Sequence, residues 1–148
     1  MPGYTHRQAG QPIAYGYYLS ALVDAWSRDI ERLLHVLDTT DGSPLGACAF
    51  AGTSFPIGRV ATSQMLGFSY PLANSVDGVA SRDFALELSA SLSILMIACS
   101  RMVQDFYIWT TPEFGYLSFP DSVASTSSIM PQKKNPVVLE YLRGRPAT

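Results

Sequence analysis

The spacing of apolar positions along the chain predicts two long helices. Between Pro12 and about Asp38, apolar side chains recur every three or four residues and polar side chains lie between them, which is the period of an amphipathic helix of about seven turns. A second helix is predicted from near Ser81, a candidate N-cap, to about Trp109. Its central stretch, Leu88 to Ser100, is apolar on every side, so it must be enclosed by more helices than this chain supplies. The predicted fold class is therefore all-α, a bundle of long helices.

Shorter segments complete this prediction. Residues Ile57 to Leu66 predict a short helix that Gly67 and Pro71 close, whereas Leu45 to Pro56 are small, flexible and without a clear period. Ser122 to Ser128 are mostly Ser and Thr, which is typical of an exposed loop. Asn135 and Pro136 resemble an N-cap followed by a first-turn proline, and they predict a last helix over Val137 to Arg143.

Composition excludes several classes of protein. The chain has 148 residues, of which 47% are hydrophobic, so it can bury enough surface to fold and is not disordered. With 10 Lys+Arg against 12 Asp+Glu, its formal charge is −2, and a sequence-independent nucleic-acid binder is not expected. The N-terminus has no signal-peptide pattern, and the uncharged run Leu88 to Ser100 is too short to span a bilayer. No membrane partner is expected.

The two cysteines point to a reducing compartment. Cys48 and Cys99 are too few for a disulfide scaffold and too isolated for a metal site, so both are expected to be buried as small apolar side chains. A cytoplasmic location follows as the default expectation.

Positive charge is concentrated at the C-terminal end of the chain. Within residues 132–148, Lys133, Lys134, Arg143 and Arg145 face a single acid, Glu140. A hydroxyl-rich loop, two lysines and a helix start together favour an anion, because ammonium groups, backbone N–H groups and the helix dipole are all positive there. Taken alone, such a loop is more often a solvated turn.

The amino-acid sequence from Ser127 to Pro136 is a more specific functional signal than the positive charge of this segment. It reads SSIMPQKKNP, which closely resembles the signature G-S-S-x-M-P-x-K-x-N-P of the fumarase/aspartase superfamily, and its Gln-Lys-Lys variant is most similar to the argininosuccinate lyase family. Three further segments match that family in the same order. They are Gly3 to His6 with Gln11-Pro12, Arg28 to Arg32, and Ser81 to Phe84. The resemblance covers nearly the whole chain.

The resemblance implies a β-elimination that splits argininosuccinate reversibly into arginine and fumarate, without metal or organic cofactor. By the matching motif positions, Ser127 would be the base that takes the Cβ proton. A serine hydroxyl needs positive surroundings to act as an alkoxide, which Lys133 and the helix start after Asn135 would supply. Lys133 and Asn135 would also bind the substrate carboxylate.

Four further site residues follow from the resemblance. His6 would help to protonate the departing guanidinium nitrogen, and Glu140 matches its charge partner, since a carboxylate beside an imidazole fixes its tautomer. Thr5 and Gln11 would contact substrate, and Arg82 would support the site. Without the resemblance, His6 would be an exposed histidine, Arg82 part of a helix-start charge pair, and Glu140 a surface acid balancing Arg143.

The family also implies a larger assembly. Residues 1–148 would form an incomplete central helical domain, with the family's N-terminal and C-terminal domains absent, and the chain alone is expected to be inactive. In the family a homotetramer builds each site from three subunits, so His6 and Ser127 would meet across an interface. Thr126 replaces the usual signature glycine, which predicts a stiffer loop. Two alternatives stay open: a lyase of the same superfamily acting on adenylosuccinate, aspartate or malate, and a non-catalytic helical assembly module.

Overall fold

The computed structural model describes residues 1–144, and its fold is mainly helical. The two long helices, the short central helix and the last helix are confirmed close to their predicted bounds, and one further short helix was not predicted. The helices are α1 Tyr15–Thr39, α2 Arg59–Met65, α3 Ser75–Ala80, α4 Asp83–Trp109 and α5 Val137–Gly144.

Two predicted helix starts are wrong in detail. The hydroxyl of Ser81 donates to Asp77 Oδ1 at 2.6 Å and closes α3, so it does not cap α4. Pro12 ends a strand and α1 begins three residues later, at Tyr15.

Within residues 1–144, three small two-stranded sheets accompany the helices, and the apolar period did not predict them. Strands β1 Pro2–Thr5 and β2 Gln8–Pro12 form an antiparallel hairpin. Strand β3 Gly42–Ser43 pairs in parallel with β4 Tyr70–Pro71. Strand β5 Ser125–Thr126 pairs antiparallel with β6 Lys134–Asn135. The fold is therefore mainly helical rather than purely so.

The chain divides into two compact units. One, called here the hairpin unit, comprises residues 1–29 and 93–144, and the other, the middle unit, comprises Ile30–Leu92. Every candidate site residue except Arg82 belongs to the hairpin unit.

An aromatic cluster around Trp109 organises the hairpin unit. The Trp109 side chain is buried, and the ring of Tyr18 lies 4.9 Å from it between centroids. Phe106 and Tyr116 pack on the same indole at 5.8 and 6.4 Å. The Tyr4 and Tyr116 hydroxyls form a hydrogen bond of 2.7 Å, which raises the pKa of Tyr4. Ring packing of this kind fixes β1 against the end of α4.

Polar contacts hold the middle unit together. Arg59 donates to Leu45 O at 3.1 Å and to Leu72 O at 2.7 Å, so one guanidinium ties two loop segments to α2. The segment Leu45 to Pro56 has no regular element, as predicted.

The two cysteines differ in exposure. Cys48 is exposed and Cys99 is half-buried. The expectation that both thiols are buried was therefore wrong for Cys48, which lies in a turn with φ 55°.

Helix α4 exposes much of its apolar surface. By length and composition it could cross a membrane, and only 11% of its most apolar 18-residue window is buried within this chain. The uncharged run Leu88 to Ser100 is too short to span a bilayer, but the whole helix is not, because its 27 residues contain a window with a mean hydropathy of 1.5. The core helix of a helical assembly has the same composition. Side chains on several sides of α4 are open, including Leu86, Leu92 and Ile97.

Candidate active site

The β1–β2 hairpin carries three of the candidate residues. Thr5 pairs with Gln8, which leaves a two-residue turn of His6 and Arg7 with φ values of 51° and 61°. Two positive φ values in a two-residue loop match the twist of a hairpin, although glycine or asparagine usually supplies them. His6 is exposed at this tip, and its imidazole makes no hydrogen bond to another residue of 1–144.

A groove of about 890 Å³ runs beside this hairpin within the hairpin unit. Thr5 and Gln11 line it from the strands, and Asp105 and Tyr107 line it from α4. Tyr18 donates to Asp105 Oδ2 at 2.8 Å, and burial, followed by this hydrogen bond, raises the pKa of Tyr18. The two predicted substrate-binding residues of the hairpin thus share one concave surface.

Residues 127–133 of the signature form a loop, and the pairing of β5 with β6 closes it. Thr126 pairs with Lys134 and Ser125 with Asn135, and inside the loop the Lys133 N–H donates to Met130 O at 2.9 Å. The Ser127 Oγ accepts the backbone N–H groups of Ile129 at 3.3 Å and Met130 at 3.2 Å. Two donors on one oxygen favour negative charge there, which is what an alkoxide base requires.

The doubled lysines have different surroundings. Lys134 Nζ forms an ion pair with Asp121 Oδ1, and Asp121 opens the 3-10 turn Asp121–Val123. Lys133 is exposed and forms no ion pair with another described residue. Asn135 is half-buried on β6, next to the start of α5. Arg145, the last cation of this segment, lies outside the described residues.

Glu140 is placed on α5 and interacts with α4. The Tyr107 hydroxyl donates to Glu140 Oε1 at 3.3 Å, and Arg143 lies over the Tyr107 ring at 4.6 Å from its centroid. No hydrogen bond or ion pair within residues 1–144 joins any two of Ser127, His6, Lys133 and Glu140. The structure therefore brings Thr5 and Gln11 together but does not join the four catalytic candidates directly.

Arg82 belongs to the middle unit and serves local structure. Its guanidinium donates to Val79 O at 2.7 Å and Ser81 O at 2.6 Å, in the junction between α3 and α4. These bonds satisfy carbonyls at the end of a helix. Its role toward substrate stays a prediction.

Sequence patterns did not reveal Tyr107 and Asp105 as groove residues, because both lie within the predicted α4 and follow its helical pattern.

Residues 1–144 contain no group of three or more His, Cys, Asp or Glu side chains that could hold a metal ion.

Comparison with known families identifies what this chain is similar to. A family model described as "Lyase" matches residues 1–147. The argininosuccinate lyase of Limosilactobacillus reuteri subsp. reuteri is 52% identical over 145 residues, which are 98% of this chain and 32% of that enzyme. Argininosuccinate lyase 1 of Mesorhizobium japonicum is 48% identical over 98% of this chain and 31% of its own length. The chain thus spans about a third of the length of the curated relatives it matches.

Solved structures share the fold. EDDS lyase in complex with formate superposes with a TM-score of 0.96 at 37% identity, over 99% of this chain and 30% of that one. The class II fumarase of Schistosoma mansoni superposes with a TM-score of 0.77 at 22% identity, over 99% of this chain and 36% of that one. The second likeness concerns the fold alone.

Proposed function

Because this chain belongs to the lyase family whose model spans residues 1–147, we propose that it is the central segment of an argininosuccinate lyase. The proposed reaction splits argininosuccinate into arginine and fumarate by β-elimination, with no metal or organic cofactor. One observation carries the proposal: the signature from Ser127 to Pro136 stands in a chain 52% identical to an argininosuccinate lyase. Identity to EDDS lyase is lower, at 37%.

The proposed chemistry begins at Ser127. Its alkoxide takes the proton from the substrate Cβ, and the electron pair left behind forms an aci-carboxylate with two negative charges. The Ile129 and Met130 N–H groups on Ser127 Oγ support the alkoxide before the proton moves. The Lys133 ammonium and the Asn135 amide then bind the charged carboxylate, which lowers the barrier because charge develops where donors already stand.

The second half of the reaction breaks the bond between carbon and the guanidinium nitrogen. That nitrogen leaves with the bonding pair and accepts a proton, for which His6 is the proposed donor and Glu140 the charge partner that favours the protonated imidazole. Thr5 and Gln11 hold substrate from the groove, and Arg82 supports the site. Fumarate and arginine are released.

A homotetramer is part of the proposal. Within residues 1–144, no hydrogen bond or ion pair joins Ser127, His6 and Glu140 to one another, and this supports a site completed by other subunits. Burial of only 11% of the apolar window of α4 supports a helix covered by other helices in a long-helix bundle. Such a protein is soluble, and we propose a cytoplasmic location without membrane or nucleic-acid partners.

The test uses a chimaera, defined as the L. reuteri argininosuccinate lyase in which the matching 145-residue segment is replaced by this chain. The chimaera should release fumarate from argininosuccinate, measured by ultraviolet absorbance. Ser127→Ala should lower kcat by about 10³-fold or more without changing the mass of the assembly. Ser128→Ala, one residue further along an exposed loop, is the matched control and should retain activity.

The alternatives give different results in the same experiment. A related lyase would act on adenylosuccinate, aspartate or malate and leave argininosuccinate intact. A non-catalytic assembly module would restore the assembly but no activity, and Ser127→Ala would then change nothing. The 148-residue chain tested alone is expected to be inactive, since its relatives are about three times as long.

A further inference from the structure

Four side chains join the end of α4 to α5 inside the hairpin unit. Gln104 and Tyr107 come from α4, and Glu140 and Arg143 come from α5. Each pair is spaced three residues apart, so its two members lie on the same face of their helix. In this arrangement, called here the α4–α5 cluster, the Tyr107 hydroxyl is the only side-chain hydrogen-bond partner of the Glu140 carboxylate within residues 1–144.

Tyr107 is central to the α4–α5 cluster. Its hydroxyl donates to Glu140 Oε1 at 3.3 Å, and its ring face carries the Arg143 guanidinium at 4.6 Å. Arg143 also donates to Gln104 Oε1 at 3.3 Å. The Tyr107 side chain therefore contacts Glu140 through its hydroxyl and Arg143 through its ring.

This geometry keeps the charge of Glu140 available. At a spacing of three residues on one helix, Arg143 would ordinarily pair with Glu140, but the Tyr107 ring and the Gln104 amide hold its guanidinium instead. A phenol is a neutral donor, so it orients the carboxylate without neutralising it. One oxygen of Glu140 is fixed, and its charge can act on a cationic partner.

We propose that Tyr107 is the positioning residue that orients Glu140 toward its imidazole partner. This inference rests on the proposed function, in which Glu140 favours the protonated form of His6. Tyr107 also lines the groove, but its hydroxyl is bound to Glu140, and its effect on turnover is assigned to that bond.

The kinetic test compares Tyr107→Phe with Tyr141→Phe in the chimaera. Phenylalanine keeps the ring under Arg143 and removes only the hydroxyl, whereas Tyr141 is an exposed neighbour of Glu140 on α5. Tyr107→Phe should lower kcat about tenfold, the effect of one hydrogen bond to a charged group, with KM for argininosuccinate within about twofold. The alkaline limb of the kcat profile should move to lower pH, because a disordered carboxylate no longer favours imidazolium. Tyr141→Phe should change neither.

A double variant separates positioning from simple structure. If Tyr107 acts through Glu140, adding Tyr107→Phe to Glu140→Gln should cause no further loss of kcat. An additional tenfold loss, or an unshifted alkaline limb in Tyr107→Phe, would overturn the inference while leaving the lyase activity intact.

A second readout does not depend on activity. In the chimaera, the carboxyl carbon resonance of Glu140 in NMR spectra at neutral pH should move in Tyr107→Phe and stay in place in Tyr141→Phe. An unmoved resonance would contradict the inference even if the chimaera is active. A chimaera that releases no fumarate would contradict the proposed function, and the resonance would still test the Tyr107 contact.

Discussion

Lys134 Nζ is paired with Asp121 Oδ1, and this ion pair joins β6 to the 3-10 turn that precedes the signature loop. Both side chains are more than half exposed, so the pair contributes little to stability. Its effect is to leave the two lysines, Lys133 and Lys134, with different amounts of uncompensated positive charge. The charge of Lys134 is already compensated, whereas Lys133 has no acidic partner among the described residues.

The two lysines should therefore differ in their effect on turnover. In the chimaera, Lys133→Met should lower kcat by about 100-fold, the usual effect of removing one donor to a developing oxyanion. Lys134→Met should stay within about threefold, because an exposed ion pair is a weak interaction. Steady-state release of fumarate measures both. Equal losses would contradict the assignment of the anion-binding role to Lys133.

Thr126→Gly should loosen the loop without removing the chemistry. Thr126 lies on β5 and does not have a positive φ; among described residues other than glycine, positive φ occurs at His6, Arg7 and Cys48. Threonine suits a strand, and glycine there costs about 0.5–1 kcal/mol of local order. We expect faster proteolytic cleavage of the signature loop and a kcat within about threefold in the chimaera. A loss as large as that of Ser127→Ala would show that strand pairing at Thr126 is needed for catalysis.

Asp41 should contribute to acid sensitivity of the middle unit. Its Oδ1 accepts the Ser69 backbone N–H at 3.0 Å, and the side-chain and backbone hydrogen bonds of Ser69 lower the pKa of Asp41 below its ordinary value of 3.8. A lowered pKa in the folded state means that the unfolded chain binds the proton more readily, so this stabilisation is present above pH 3.8 and is lost as the pH falls below it.

Urea unfolding of the chimaera at a series of pH values measures this effect. Asp41→Asn should be less stable than the parent near neutral pH, and the difference should shrink as the solution is acidified. Asp38→Asn, a nearby exposed acid, is the control. A difference that stays constant with pH would rule out the Ser69 hydrogen bonds as its source.

Tyr18→Phe should destabilise the hairpin unit. The substitution leaves the ring beside Trp109 but removes the donor to Asp105 Oδ2, and a hydrogen bond to a charged group contributes about 1.5–3 kcal/mol, less when it is partly exposed. Burial raises the pKa of Tyr18 above its ordinary value of 10.0, so this stabilisation persists at neutral pH and declines only as the pH rises beyond 10.0. Urea unfolding measures it, with Tyr17→Phe, 72% exposed, as control. Equal midpoints for the two variants would contradict the prediction.

Much of the helical fold could be predicted because its signal is local. Helix α1 repeats its apolar positions over 25 residues and α4 runs for 27, so each period is sampled many times. The β1–β2 hairpin lacks such a signal. His6 and Arg7 form its turn without glycine or asparagine, and β2 is exposed along its whole length, so no alternation of buried and exposed positions marks it.

The candidate site also has one part that could be predicted from the sequence and one part that could not. The signature from Ser127 to Pro136 is contiguous, and its resemblance to a family could be read directly from the string. The bond between Tyr107 and Glu140 joins residues 33 positions apart, and neither residue belongs to a motif that predicts the other. Contacts of this kind depend on how two helices pack, which periodicity within each helix does not specify.

The hairpin that presents His6 also restricts how this segment can change over time. The pairing shifts register between Pro2 and Tyr4 and is regular from Tyr4 to the turn. One residue inserted or deleted in that regular part, without a second bulge to absorb it, would turn over the side chains of its strand. Thr5 and Gln11 would then no longer face a common groove. Amino-acid substitutions along these strands preserve the pairing, whereas a single insertion or deletion would disrupt the turn that presents His6.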